Sequence, residues 1–159
     1  MKTAIFISML FLLAPFRHFS QSKKEVKQNG IKTTVITTTE NDLTITSKKT
    51  VFNKDGEPVE ETDYDKTGAL KSIHKYKYNK DGDLVEEEEY NGKTKQTERR
   101  VAKYNGMGEK TEEMVYDPMG KLVRTHYYTY NHKGLKTERK TVDASGKVTE
   151  IKKFAYDTK

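Results

Sequence analysis

The chain has 159 residues, 33% of them hydrophobic and 34% charged, with a formal net charge of +6, no Cys and no Trp. The absence of Cys excludes a disulfide framework, Cys-ligated zinc, a thiol nucleophile and a lipid-anchored N-terminal Cys. Thirteen of the 52 hydrophobic residues lie in the first 20, which leaves the body too poor in apolar residues for a thick core and too regularly alternating for disorder.

The first 20 residues read as an export signal. Lys2 supplies the positive start, and Ala4 to Phe16 is an apolar run broken by Ser8 and Pro15. That run is 13 residues long, whereas a helical membrane span needs about 20. Cleavage is expected after Ser20, although no A-x-A pattern marks it, and residues 21–29 then form a lead-in. Loss of Lys2 and Arg17 lowers the formal charge to +4. The mature chain is expected to have no membrane span and to be secreted, periplasmic or at a bacterial cell surface, where a Cys-free domain is at no disadvantage.

From residue 30 to 157 one unit recurs. Glycines stand at 30, 56, 82, 108 and 134, each 26 residues after the last, and a second set stands at 68, 120 and 146. Most close the same pattern: an apolar residue, Asn or Asp, two variable residues, then Gly. Tyr78-Asn79-Lys80-Asp81-Gly82 and Tyr116-Asp117-Pro118-Met119-Gly120 are instances. The Asn or Asp side chain caps a turn, Pro118 fits its second position, and Gly accepts the left-handed conformation at the fourth. The pattern predicts a type I turn followed by a left-handed glycine, a common hairpin connection. Asn91-Gly92 departs from it and predicts a tighter turn.

Between these corners lie segments of eight to ten residues rich in Thr, Val, Ile and Tyr, which suits strands. Glu86 to Glu89 has local helical character but aligns in register with Glu60-Glu61 and Glu112-Glu113, so it too reads as strand. The expected fold is all-β: an antiparallel meander of about ten strands, built from five 26-residue β-hairpin repeats and forming a curled single-layer sheet. Closure into a β-barrel is the alternative, with the first strand paired to the last, because closure removes exposed edges.

Alternation assigns the faces. Leu70, Ser72, His74, Tyr76 and Tyr78 share one, and Leu122, Arg124, His126, Tyr128 and Tyr130 repeat it. The opposite face is mostly charged. Tyr76, Tyr78, Tyr104, Tyr128, Tyr130, Phe154 and Tyr156 thus form an aromatic band, the expected binding surface for a glycan or protein partner. In a barrel the same band would hold a small apolar ligand.

The segments Tyr76-Lys77-Tyr78-Asn79-Lys80-Asp81-Gly82 and Tyr116-Asp117-Pro118-Met119-Gly120 resemble YD repeats, the unit of Rhs-type bacterial proteins. The resemblance covers about residues 26–157. It implies a repetitive β-sheet on an exported protein and carries no catalytic residue. The chain departs from that family in using Asn at several corners and a longer period, and in having too few repeats for a large shell.

No motif for enzymatic chemistry emerges, and the chain is expected to be neither an enzyme nor a cofactor or metal binder. His74 and His126 share a face but lie four strands apart. The corner at Asn79-Lys80-Asp81-Gly82-Asp83 lacks the spaced carboxylates and distant bidentate Glu of a calcium loop. Glu86 to Glu89 alternate between faces rather than facing each other across a cleft. Lysines and arginines such as Lys71, Lys75, Arg99 and Arg100 are interspersed with acids, which argues against nucleic acid as a partner. The last strand, near Val148–Tyr156, is expected to carry an apolar edge and to permit weak self-association.

Overall fold

The computed structural model describes residues 22–157. The export-signal reading of residues 1–20 lies outside them. A short helix, α1 (Lys23–Gln28), precedes ten strands: β1 (Thr33–Glu40), β2 (Leu43–Phe52), β3 (Pro58–Tyr64), β4 (Leu70–Tyr78), β5 (Leu84–Asn91), β6 (Gln96–Tyr104), β7 (Lys110–Tyr116), β8 (Leu122–Tyr130), β9 (Lys136–Asp143) and β10 (Val148–Lys153). All ten join one sheet in chain order, and every pair is antiparallel. Each strand is connected to the next by a short turn, so the topology is a meander.

The barrel alternative is corrected by this order. Among the described residues strand β1 pairs with β2 alone and β10 with β9 alone, so the sheet has two open edges. Closure requires the strands to tilt and shear into register around a filled interior. Here the apolar side chains to fill one are missing. Among the described residues the buried hydrophobics are Val26, Ala102 and Val115. The sheet is a single layer held by its backbone ladder and by polar side chains lying across it.

The corners form as their residues dictate. At Asn79, Oδ1 accepts the N–H groups of Asp81 (3.0 Å) and Asp83 (2.9 Å), while the Gly82 N–H donates to the Asn79 carbonyl at 3.1 Å. Gly82 has φ of +86°, a conformation that costs other L-residues roughly 1 kcal/mol or more. Asn53, Asp65, Asn105, Asp117, Asn131 and Asp143 repeat the same two side-chain bonds. The ladder slips at the aromatic residue before a corner, as between Lys77 and Tyr78 or Lys103 and Tyr104. A left-handed turn residue adds this bulge.

The Asn91-Gly92 corner is shorter by one residue than corners such as Tyr78 to Leu84, but it is not a two-residue turn. Four residues separate β5 from β6, and Lys95, at φ 59°, takes the left-handed position. Gly92 serves a different purpose. A Cβ there would come within 2.2 Å of the Leu70 carbonyl oxygen, so glycine is needed for close approach of the chain.

Helix α1 interrupts the lead-in expected over residues 21–29. Ser22 accepts the Glu25 N–H and the Glu25 carboxylate accepts the Ser22 N–H, a complete capping box. The helix sits on the corner between β2 and β3. A Cβ at Gly56 would lie 2.5 Å from the Lys23 carbonyl, Lys23 pairs with Glu57 at 2.6 Å, and Lys27 pairs with Asp55 at 3.1 Å. Val26 is 1% exposed. The capping signal is written in Ser22-Lys23-Lys24-Glu25, but six residues are too few for periodicity to show.

At the same end of the chain the β1–β2 hairpin turns at Asn41 and Asp42, both at positive φ. Its tip projects past β3, because the β2–β3 ladder stops at Lys48–Asp63 and leaves residues 43–47 beyond it.

Candidate functional site

The aromatic band splits into two kinds of position. Tyr78, Tyr104, Tyr130 and Tyr156 follow one another at 26-residue spacing. Each hydroxyl donates to a backbone carbonyl 20 residues earlier: Pro58 at 2.9 Å, Leu84 at 3.0 Å, Lys110 at 2.8 Å and Lys136 at 2.8 Å. Each tyrosine ends an even-numbered strand or stands just beyond it, and each accepting carbonyl opens the odd-numbered strand before. The bonds therefore stitch successive corners together along one end of the sheet. Phe52 occupies the same place without a hydroxyl, and there the link is the Phe52 N–H to the Lys32 carbonyl at 2.9 Å.

Tyr76 and Tyr128 form the second kind. Their hydroxyls donate to carboxylates 15 residues earlier, Glu61 at 3.2 Å and Glu113 at 3.1 Å. Around Tyr128 the network is dense. Glu113 also accepts from Lys110 at 2.8 Å, and the Lys136 ammonium lies 4.5 Å from the Tyr128 ring centre and 5.8 Å from that of Phe154. Burial alone would raise the Glu113 pKa, but the bonds from Lys110 and Tyr128 outweigh it and hold the carboxyl below its usual range. Burial together with the nearby Glu113 charge pushes the Tyr128 phenol well above its ordinary value. Burial, helped by Lys110, lowers Lys136.

The two face histidines have become different groups. His74 lies 3.5 Å from Glu87, and this contact raises its pKa against the effect of burial, with Glu89 and Asp63 adding to the rise. Burial lowers His126, and Arg139 and Arg124 reinforce that against Glu113 and Glu150. His126 Nδ1 shares a 2.9 Å hydrogen bond with the Thr141 hydroxyl. One repeat position thus carries a raised proton affinity at β4 and a lowered one at β8, decided by burial and by the charges alongside.

Five residues of the band lie on β4, β6 and β8, while Phe154 and Tyr156, expected on the last strand, fall in the segment after β10 ends at Lys153; the seven do not converge on a pocket. They run as a line across β4, β6, β8 and the segment after β10. Exposure rises toward the end of that line, with Phe154 at 39% and Tyr156 at 48%. Glu61, Glu113 and Lys136 organise the band, yet the sequence shows Glu61 and Glu113 only as strand residues in register and does not single out Lys136. The matching 15-residue offsets of Glu61–Tyr76 and Glu113–Tyr128 carry that signal.

Outside the band a depression of about 500 Å³ opens between the projecting hairpin and the β3–β4 corner, lined by Thr38, Leu43, Ile45, Tyr64 and Lys66 among others. The opposite face of the sheet is a lattice of ion pairs, including Lys77–Glu86 at 2.7 Å and Lys103–Glu112 at 2.9 Å, with Arg99 stacked 4.4 Å from the Tyr116 ring. Among the described residues no group of three or more His, Asp or Glu could hold a metal ion, and no helix is long and apolar enough to cross a membrane. No family model matches the chain, and no curated protein matches it.

Proposed function

We propose that the chain is a non-enzymatic, exported repeat module that binds or scaffolds a protein or glycan partner at the bacterial cell envelope. The observation that carries this reading is the open end of the sheet. The aromatic band is most exposed at Phe154 and Tyr156, beside a strand with one unpaired side. An exposed aromatic pair next to free backbone donors and acceptors suits docking better than chemistry. The resemblance to YD repeats and the export signal read over residues 1–20 supply the envelope location. The same edge permits weak self-association.

The test places a photo-crosslinking residue at Phe154, or at Thr38 as a control, in the tagged full chain produced in a bacterium that exports it. A discrete adduct from the Phe154 position in the envelope fraction, reduced by Tyr128→Ala, is the expected result. Retention of the chain in the cytoplasm, or adducts equally abundant from both positions, would overturn the reading.

A further inference from the structure

The internal strands of the sheet specify what its open end is built to receive. Ile151-Lys152-Lys153-Phe154-Ala155 occupies the repeat position of Ile73-His74-Lys75-Tyr76-Lys77 in β4, 78 residues earlier. In β4 that segment is covered by β5: Ile73 faces Tyr90, His74 faces Glu89, Lys75 faces Glu88, Tyr76 faces Glu87 and Lys77 faces Glu86. The two lysines and the histidine thus meet three acids, Tyr76 meets the fourth, and the apolar Ile73 meets an aromatic residue.

Among the described residues no strand pairs with the corresponding side of β10. All of β10 is exposed, and among the described residues Lys153 makes no ion pair. The backbone is oriented to pair. The Phe154 N–H donates inward to the Thr137 carbonyl at 3.0 Å, so strand alternation turns the N–H and C=O groups of Ile151 and Lys153 outward. Strand β1 of a second copy is a poor match, because Thr33–Glu40 offers one acid where Lys152 and Lys153 call for two in succession.

We propose that the free edge of β10 receives an extended acidic peptide segment, antiparallel, in which consecutive carboxylates meet Lys152 and Lys153 and an aromatic residue meets Ile151. This rests on the binding-module reading and names its partner class. Strand addition supplies the backbone hydrogen bonds, and the charge pattern supplies specificity.

The probe is a labelled, end-blocked peptide of residues 84–91, the β5 sequence, titrated into the full chain by fluorescence anisotropy. Saturable binding is expected, weakened at least tenfold when the four glutamates become glutamines or when Lys152 and Lys153 both become Glu. Register makes a sharper demand. N-methylation of the peptide at Glu88 and Tyr90, whose amides face β4 in the template, is expected to abolish binding. N-methylation at Glu87 and Glu89 is expected to spare it. Ile151→Pro, which removes an outward N–H and leaves the β9 ladder intact, is expected to act like the first pair. Hydrogen exchange is expected to slow at Ile151 and Lys153.

Equal binding by the two N-methylated peptides would overturn the proposal, since it would mean charge attraction without strand pairing. So would protection at β1 instead of β10, or protection of β10 that follows protein concentration and ignores the peptide, which would assign the edge to a second copy. If the peptide fails while the Phe154 adduct forms, this inference falls and the module reading stands. If the peptide binds but the chain stays in the cytoplasm, the reverse holds.

Discussion

Asn and Asp are not interchangeable at the corners, and their distribution has a local electrostatic cause. The side-chain oxygen does the same job in both, accepting two backbone N–H groups. The difference lies four residues on. Asn53, Asn79 and Asn105 are each followed at that distance by an acid, and their Nδ2 groups donate to Glu57 (3.0 Å), Asp83 (3.0 Å) and Glu109 (2.7 Å). Asp65, Asp117 and Asp143 are followed by Ala69, Lys121 and Lys147. A second carboxylate at an Asn corner would face the first at hydrogen-bond distance with no proton between them. Asn79→Asp is therefore expected to cost about 1 kcal/mol at neutral pH, through a lost charged hydrogen bond and added repulsion. The gap to the parent chain should narrow as pH falls through the carboxylate range near about 4, where protonation removes the repulsion. Asn131→Asp, followed by Leu135, is the control and should be near neutral at both pH values. Melting temperatures at pH 7 and pH 3.5 check both. An equal loss at the two corners would remove the electrostatic explanation.

At the scale of the strand, the tyrosine hydroxyls take the place that a core occupies in thicker folds. A single-layer sheet has no second layer to fix the angle between one hairpin and the next. The bonds from Tyr78, Tyr104, Tyr130 and Tyr156 bridge neighbouring corners and supply that restraint, while the carboxylate bonds of Tyr76 and Tyr128 fix the middle of the same face. Tyr104→Phe keeps the ring and deletes one bond to a half-buried carbonyl, at an expected cost of about 1 kcal/mol. Tyr156→Phe deletes the equivalent bond beside an edge strand that is largely solvated and should cost less. Urea titration of the two variants measures the difference. If the terminal variant proves the weaker, the tyrosines do not act as links between hairpins. The recurrence of aromatic residues two apart, as in Tyr76-Lys77-Tyr78, Tyr128-Thr129-Tyr130 and Phe154-Ala155-Tyr156, made the band legible in the sequence. The role of its hydroxyls was not, because a bond 20 residues back depends on where the bulge places the ring.

For the whole molecule, the extensive contacts among the described residues join each strand to its neighbours in sequence. Such an array is stabilised one interface at a time and loosens from its ends. Amide exchange is expected to be slowest in β5, β6 and β7, faster toward both edges, and fastest in β10 and the projecting part of the β1–β2 hairpin. Hydrogen–deuterium exchange resolved by strand checks this. Uniform protection reaching β10 would indicate that its edge is covered in solution. The sequence by itself determined the strands, the corners and the two faces, because each depends on residues a few positions apart: an alternating side chain, an Asx oxygen, a glycine free to turn left-handed. Tertiary structure alone decided that the sheet stays open, that α1 folds onto the Gly56 corner, that Gly92 is needed for its lack of a side chain, and that the proton affinities of His74 and His126 shift in opposite directions. Those outcomes depend on which groups lie alongside after the chain has doubled back, and on the sheet's failure to bury enough apolar surface to close on itself.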